Sequence, residues 1–69
     1  MRCLVSFRHP VTGNRYLFVD FRSIGVMLRP VGCFSHRKQF ATVFHTKRDA
    51  LKVVQYLVDV GYQARIIDI

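Results

Sequence analysis

The order of apolar and polar positions divides the chain into two parts with different periods. Up to Phe44 the alternation is that of strands. In RCLVSFR, Cys3, Val5 and Phe7 share one side while Arg2, Ser6 and Arg8 take the other. In RYLFVDF, Leu17, Val19 and Phe21 share a side, with Asp20 and Arg22 opposite. Between them HPVTGN gathers proline, glycine and asparagine, which supply fixed φ and positive φ, and this predicts a hairpin joining antiparallel neighbours. GVMLR predicts a third strand, ended by Pro30, which has no N–H to give to a ladder. After a loop, PVGCFSHRKQ, the segment FATVFH predicts a fourth.

From Lys47 to Val60 the period becomes helical. Ala50, Val53, Val54 and Leu57 follow the 3, 4, 7 spacing, and Arg48, Lys52, Gln55 and Asp59 form the opposing polar stripe. Thr46 is placed to cap the first turn, with Asp49 three residues on as an acidic relative of the capping box, and Gly61 stands where a left-handed residue ends a helix. YQARIIDI closes the chain as a strand rich in β-branched residues. The sum is one α+β domain over residues 1–69, of order ββββαβ. It predicts a small antiparallel sheet of about five strands, covered on one face by a single amphipathic helix. A β-branched final strand exposed at a sheet edge is also a surface on which two copies can pair about a two-fold axis, so a homodimer is a further expectation.

Composition fits a folded chain of this kind. With 51% hydrophobic residues, six phenylalanines and two prolines in 69 residues, the chain is too apolar to stay disordered. It contains no run of roughly 18 apolar residues that would cross a membrane and no apolar core of a leader, so the cytoplasm is the expected location. Two cysteines, Cys3 and Cys33, are too few for a disulfide framework and are expected to be free thiols, Cys33 packed inward.

Charge sharpens the picture more than composition does. Eleven Lys and Arg against four Asp give +7. Residues 1–38 hold seven of the cations and only Asp20, whereas residues 39–69 hold four cations and three aspartates. A regional excess of this kind predicts a face of positive potential that attracts polyanions. Arg8, Arg15, Arg22 and Arg29 recur every seven residues, but apolar heptads are missing, and Pro10, Gly13, Gly25 and Pro30 exclude a continuous helix. In a meander, a strand with its turn takes about seven to ten residues. The spacing therefore predicts cations at strand ends, with Arg8, Arg15 and Arg29 gathered at the hairpin end and Arg22 opposite.

Catalytic and metal chemistry find few candidates. There is no glutamate, and of the four aspartates two lie on the predicted helix and one is next to last. No phosphate-binding loop, serine elbow or HExxH stands in the chain, so a non-enzymatic protein is expected. Cys33 and His36 have the spacing of one half of a zinc site, which His45, His9 and Cys3 would have to complete. Sites legible in sequence have two close pairs, so neither metal nor another cofactor is expected.

Nucleic-acid binding is better motivated. YLFVDF, residues 16–21, resembles the second part of the RNP1 strand of RNA-recognition motifs, in which alternate aromatics face outward to stack on bases. The resemblance covers six residues. Asn14 and Arg15 replace the motif's basic residue and glycine, Leu17 replaces its small residue, and an RNP2-like strand and the family's first helix are lacking. On that resemblance Tyr16 and Phe18 would be stacking residues, with Val19 and Phe21 buried. The expected function is a small nucleic-acid-binding module, single-stranded DNA or RNA favoured, with phosphate contacts from Arg8, Arg15, Arg29, Arg37 and Lys38. The alternative is a small adaptor or inhibitor that docks its basic surface on an acidic or nucleic-acid-processing protein. In size and in its helix-then-strand ending the chain is similar to many small phage-encoded proteins that act on host proteins.

Overall fold

The computed structural model describes residues 2–69. Four strands, β1 (Cys3–Arg8), β2 (Arg15–Ile24), β3 (Met27–Phe34) and β4 (Gln63–Asp68), form one antiparallel sheet in the order β3-β2-β1-β4. A single helix, α1 (Lys47–Asp59), and a short 3-10 turn at Lys38–Phe40 lie between β3 and β4. This is the α+β arrangement expected, with one strand fewer.

The strand expected over residues 40–45 is a wedge instead. Phe44 alone bridges to the sheet, exchanging backbone hydrogen bonds with Cys3 (2.9 and 2.8 Å), while the Thr42 N–H donates to the Phe18 carbonyl (3.1 Å) and the Thr42 hydroxyl to that of Val19. The reason lies in β2. Its pairing with β1 runs only from Arg8–Arg15 to Ser6–Leu17, and its pairing with β3 shifts register between Phe18 and Asp20. A bulge bends a strand and leaves neighbouring backbone groups without their ladder partners. Residues 42–44 fill the gap and satisfy them. The bulge also changes which residues share a face. Leu17, Val19 and Phe21 do not line one side. Phe18 and Phe21 pack together instead, ring centroids 4.8 Å apart.

Both faces of the sheet carry apolar clusters, of unequal size. Cys3, Val5 and Phe7 of β1 and Phe18 of β2 are buried with Ala50 and Leu57 of α1, and Tyr62, Ala64 and Ile66 extend this core. On the opposite face Leu4, Leu17 and Ala41 are buried, with Cys33, Val43 and Ile67 packed against them. Residues 41–43 thus cover part of the face that the helix leaves open.

The helix ends are as the sequence marks them. The Asp49 N–H donates to Thr46 Oγ1 (3.3 Å), and at the other end the N–H groups of Gly61 and Tyr62 return to the carbonyls of Val58 and Leu57 (3.1 and 2.8 Å). That double closure requires the left-handed φ of +100° at Gly61, which costs a glycine nothing. β3 runs straight through Pro30, where the sequence predicted its end. Hydrogen bonding alternates along an antiparallel strand. Cys3 gives its backbone groups to Phe44, on the β2 side, so Phe7 and Tyr16 form a bonded pair. Leu17 then bonds Cys33, and the odd positions of β3 turn inward. Pro30 therefore falls where its missing N–H would have faced outward, the position an edge strand tolerates. Two residues on, Gly32 lets the Phe7 ring approach: a Cβ there would stand 2.7 Å from Phe7 Cζ and from Tyr16 Cβ.

Candidate nucleic-acid interface

Side-chain parity sorts the cations. On β1, Arg8 shares its face with Leu4 and Ser6, away from the helix. Cross-strand pairing sets Arg15 and Gln63 beside Arg8, and Arg65 beside Ser6. Three arginines from three adjacent strands, Arg8, Arg15 and Arg65, therefore stand together at one end of the helix-free face. Their proximity is visible in the ionisation of Arg15, which is lowered from the ordinary arginine value first by lost hydration and then by the charges of Arg65 and Arg8. Beneath them Ser6 is 1% exposed, and its hydroxyl has no hydrogen-bond partner among the described residues.

The loop after β3 brings two further cations to the same face. The Cys33 thiol donates to the Arg37 carbonyl (3.4 Å), and Cys33 is the cross-strand partner of Leu17. Ala41, three residues beyond Lys38, packs onto Leu4 and Leu17. Arg37 and Lys38 are exposed, and the Arg37 guanidinium sits 6.0 Å from the centre of the Phe40 ring, at the outer limit of a cation–π contact. At the end of β3 the Phe34 and His36 rings stack, 5.8 Å apart and 7° from parallel. Phe40 is 56% exposed, so a ring that water can reach stands next to Arg37, whereas Phe34, the cross-strand partner of Tyr16, lies on the helix side.

Several expected site residues are placed elsewhere. Arg29 does not join Arg8 and Arg15. It pairs with Arg22 beside the β2–β3 turn between Ile24 and Met27, about 30 Å along β2 from Arg15, and lines a groove on the helix side. Phe18, 4% exposed, is a core residue and presents no face to a base. Tyr16 lies on the same side, half-buried between Phe7 and Phe34 (5.8 and 6.1 Å). The outward side of the RNP1-like segment is thus the side the helix covers. Arg65 and Phe40 were missed by sequence reasoning. Arg65 lies in the nearly neutral second half, and only the adjacency of β4 to β1 brings it to Arg8.

The sulfur and imidazole groups do not converge. Among the described residues no group of three or more His, Cys, Asp or Glu is placed to hold a metal ion. Cys3 and Cys33 are free thiols, Cys3 buried and Cys33 half-buried on the helix-free face. His36 is stacked on Phe34, His45 is exposed before the helix, and His9 Nδ1 accepts from the N–H groups of Val11 and Thr12 (3.2 and 3.3 Å).

A second concavity lies on the helix side. His9, Pro10 and Val11 of the β1–β2 loop, the hairpin tip from Val26 to Arg29, and Tyr56, Val60 and Tyr62 enclose a groove of about 510 Å³. Its walls are mostly apolar, and Val26 at the tip is fully exposed. No described helix is long and apolar enough to cross a membrane. No protein-family model, curated protein or solved structure matches this chain.

Proposed function

We propose that the protein binds single-stranded nucleic acid without catalysis, through the helix-free end of its sheet. Arg8, Arg15 and Arg65 contact phosphates from the sheet, and Arg37 and Lys38 do so from the adjoining loop. Phe40, beside Arg37, offers a ring face to a base, in place of Tyr16 and Phe18. The observation that carries this reading is the convergence of three arginines from three strands on one exposed face, with the exposed Phe40 ring beside Arg37 in the adjoining loop, since single-strand binding needs both charge for the backbone and flat apolar surface for the bases. A cluster kept only for solubility gains nothing from juxtaposing like charges.

Titration of a labelled single strand at increasing salt tests it. Five phosphate contacts give a log–log slope of about −3.5, and Arg65→Ala reduces its magnitude by about 0.7. Phe40→Ala weakens binding by about 1–3 kcal/mol with the slope unchanged. A slope near zero, or one that the Arg65 change leaves untouched, refutes the reading.

The apolar groove between the hairpin tip and the end of α1 favours a second reading, an adaptor that docks on another protein. In that case a partner captured from lysate persists after nuclease treatment, and Val26→Asp abolishes capture while the salt slope for single strands is near zero.

A further inference from the structure

The arginine cluster contains one group that a general affinity for polyanions does not explain. Ser6 lies in a single cross-strand row with Cys33, Leu17 and Arg65, one residue from each strand of the sheet. Its side chain shares the face of Arg8, and the row of Arg8, Arg15 and Gln63 stands about 7 Å further along. Ser6 is 1% exposed, and its hydroxyl has no hydrogen-bond partner among the described residues. A buried hydroxyl left unpaired destabilises a fold, and an alanine in its place avoids that loss. Of the two residues that flank it, Leu17 is buried and Arg65 is exposed. The hydroxyl is therefore closed off on one side by packing and on the other by a long, solvated side chain.

The charge around it is uncompensated. Arg8 and Arg15 stand directly opposite each other, and Arg65 is diagonal to Arg8, two residues on from Gln63. Such neighbours have Cβ atoms about 4.5–5.5 Å and 7–8 Å apart, so three long side chains can close on one small anion. The four aspartates lie elsewhere. Asp49 and Asp59 belong to α1, Asp68 is opposite Cys3 at the other end of β1, and Asp20 lies beyond the bulge, accepting from the Phe21 N–H (2.8 Å). An anion among the arginines relieves the mutual repulsion that Arg15 registers.

The geometry points to a terminal phosphate of a single strand as the group that fills this site, its oxygens held by Arg8, Arg15 and Arg65 and, once Arg65 turns over the ligand, by the Ser6 hydroxyl. This inference rests on the nucleic-acid reading and narrows it. An internal phosphodiester brings one charge and two free oxygens. A terminal monoester brings nearly two charges and three free oxygens, which matches a donor set of three guanidinium groups and a hydroxyl. A carboxylate falls short in both respects. A phosphorylated peptide carries the same group, but the rest of the surface favours a nucleic acid. The row that starts at Arg65 leads across Leu17 to Cys33, about 14 Å by strand spacing, and the Cys33 thiol donates to the Arg37 carbonyl. There Arg37, Lys38 and the exposed Phe40 ring meet further phosphates and a base, which a peptide lacks. The strand's end is set at β4, and its body runs toward the loop after β3.

Strands of one sequence with a phosphate or a hydroxyl at the 5′ end, and likewise at the 3′ end, test it by titration against the full chain. Phosphate at one of the two ends is expected to raise affinity by at least about tenfold. Ser6→Ala and Arg65→Gln each cut that preference to about threefold or less. Ser6→Ala also leaves the free protein as stable in urea as before, or more so, because its hydroxyl has no partner to lose. Four strands that bind equally, with the salt slope intact, overturn the inference and leave the nucleic-acid reading standing. Absence of salt-sensitive binding by any of the four overturns both. A preference that survives both substitutions overturns the site, and a neutral phosphoserine peptide that binds as tightly as the phosphate-ended strand overturns the occupant.

Discussion

β3 and β4 both lie at an edge of the sheet, yet they discourage further pairing by different means, β3 through its backbone and β4 only through the charges of Arg65 and Asp68. Pro30 removes one outward donor, Gly32 presses close against Phe7, and the strand it pairs with is bulged. β4 is regular along its length. The Ile69 N–H donates to the Arg2 carbonyl (3.1 Å), so Gln63, Arg65 and Ile67 turn their backbone groups toward β1, and Ala64, Ile66 and Asp68 turn theirs outward. The β-branched residues Ile66 and Ile67 suit a strand equally well in the interior of a sheet, and a proline does not. What separates the two edges is therefore which backbone groups face out and whether they can donate, not how hydrophobic the strands are.

The contrast is broken most severely from the inner side of β4. Ile67→Pro removes an N–H that bonds β1 and is expected to cost about 3 kcal/mol or more, enough to unfold a domain this small, with loss of the cooperative thermal transition in circular dichroism. Ala64→Pro, three positions earlier on the same strand but facing outward, should leave that transition in place. Next in size is Gly32→Val on β3. Its branched side chain must displace the Phe7 and Tyr16 side chains, and urea denaturation should show a loss of about 1–3 kcal/mol. The smallest effect is Pro30→Val, which changes stability by about 0.5 kcal/mol or less. Its consequence appears elsewhere: the restored outward donor opens the β3 edge, and light scattering should then report increased association as concentration rises.

Legibility in the sequence followed the range of the interactions. The helix was readable with both ends because Thr46, Asp49 and Gly61 act within a turn or two of their own position. The hairpin at Pro10–Asn14 was readable for the same reason. The bulge was not, because alternation through Val19 reads as unbroken and nothing local distinguishes a bulged valine from a paired one. From that single residue came the larger differences, the loss of the strand at 40–45 and the placing of Phe21 beside Phe18, while the burial of Phe18 follows from the register that sets Tyr16 opposite Phe7. The arginine cluster was half visible. Arg8 and Arg15 face each other across a hairpin whose turn can be seen, but Arg29 depended on where the second turn falls. Arg65 depended on strand order, which the alternation of β4 alone does not give.

The wedge formed by Thr42 and Phe44 has a mechanical consequence. Beyond Leu17 the outer half of the β2–β3 hairpin is joined to β1 through these two residues and not through a continuous ladder, so the molecule has a seam along which it can part. Opening there lets the hairpin swing as a lever arm while β1, β4 and α1 stay knit together. The walls of the apolar groove, one on the hairpin tip and one on the helix, lie on opposite sides of that hinge, so its width is set by how firmly Thr42 and Phe44 hold, together with the ring contacts of Phe18 in the core and of Phe21 on Tyr56.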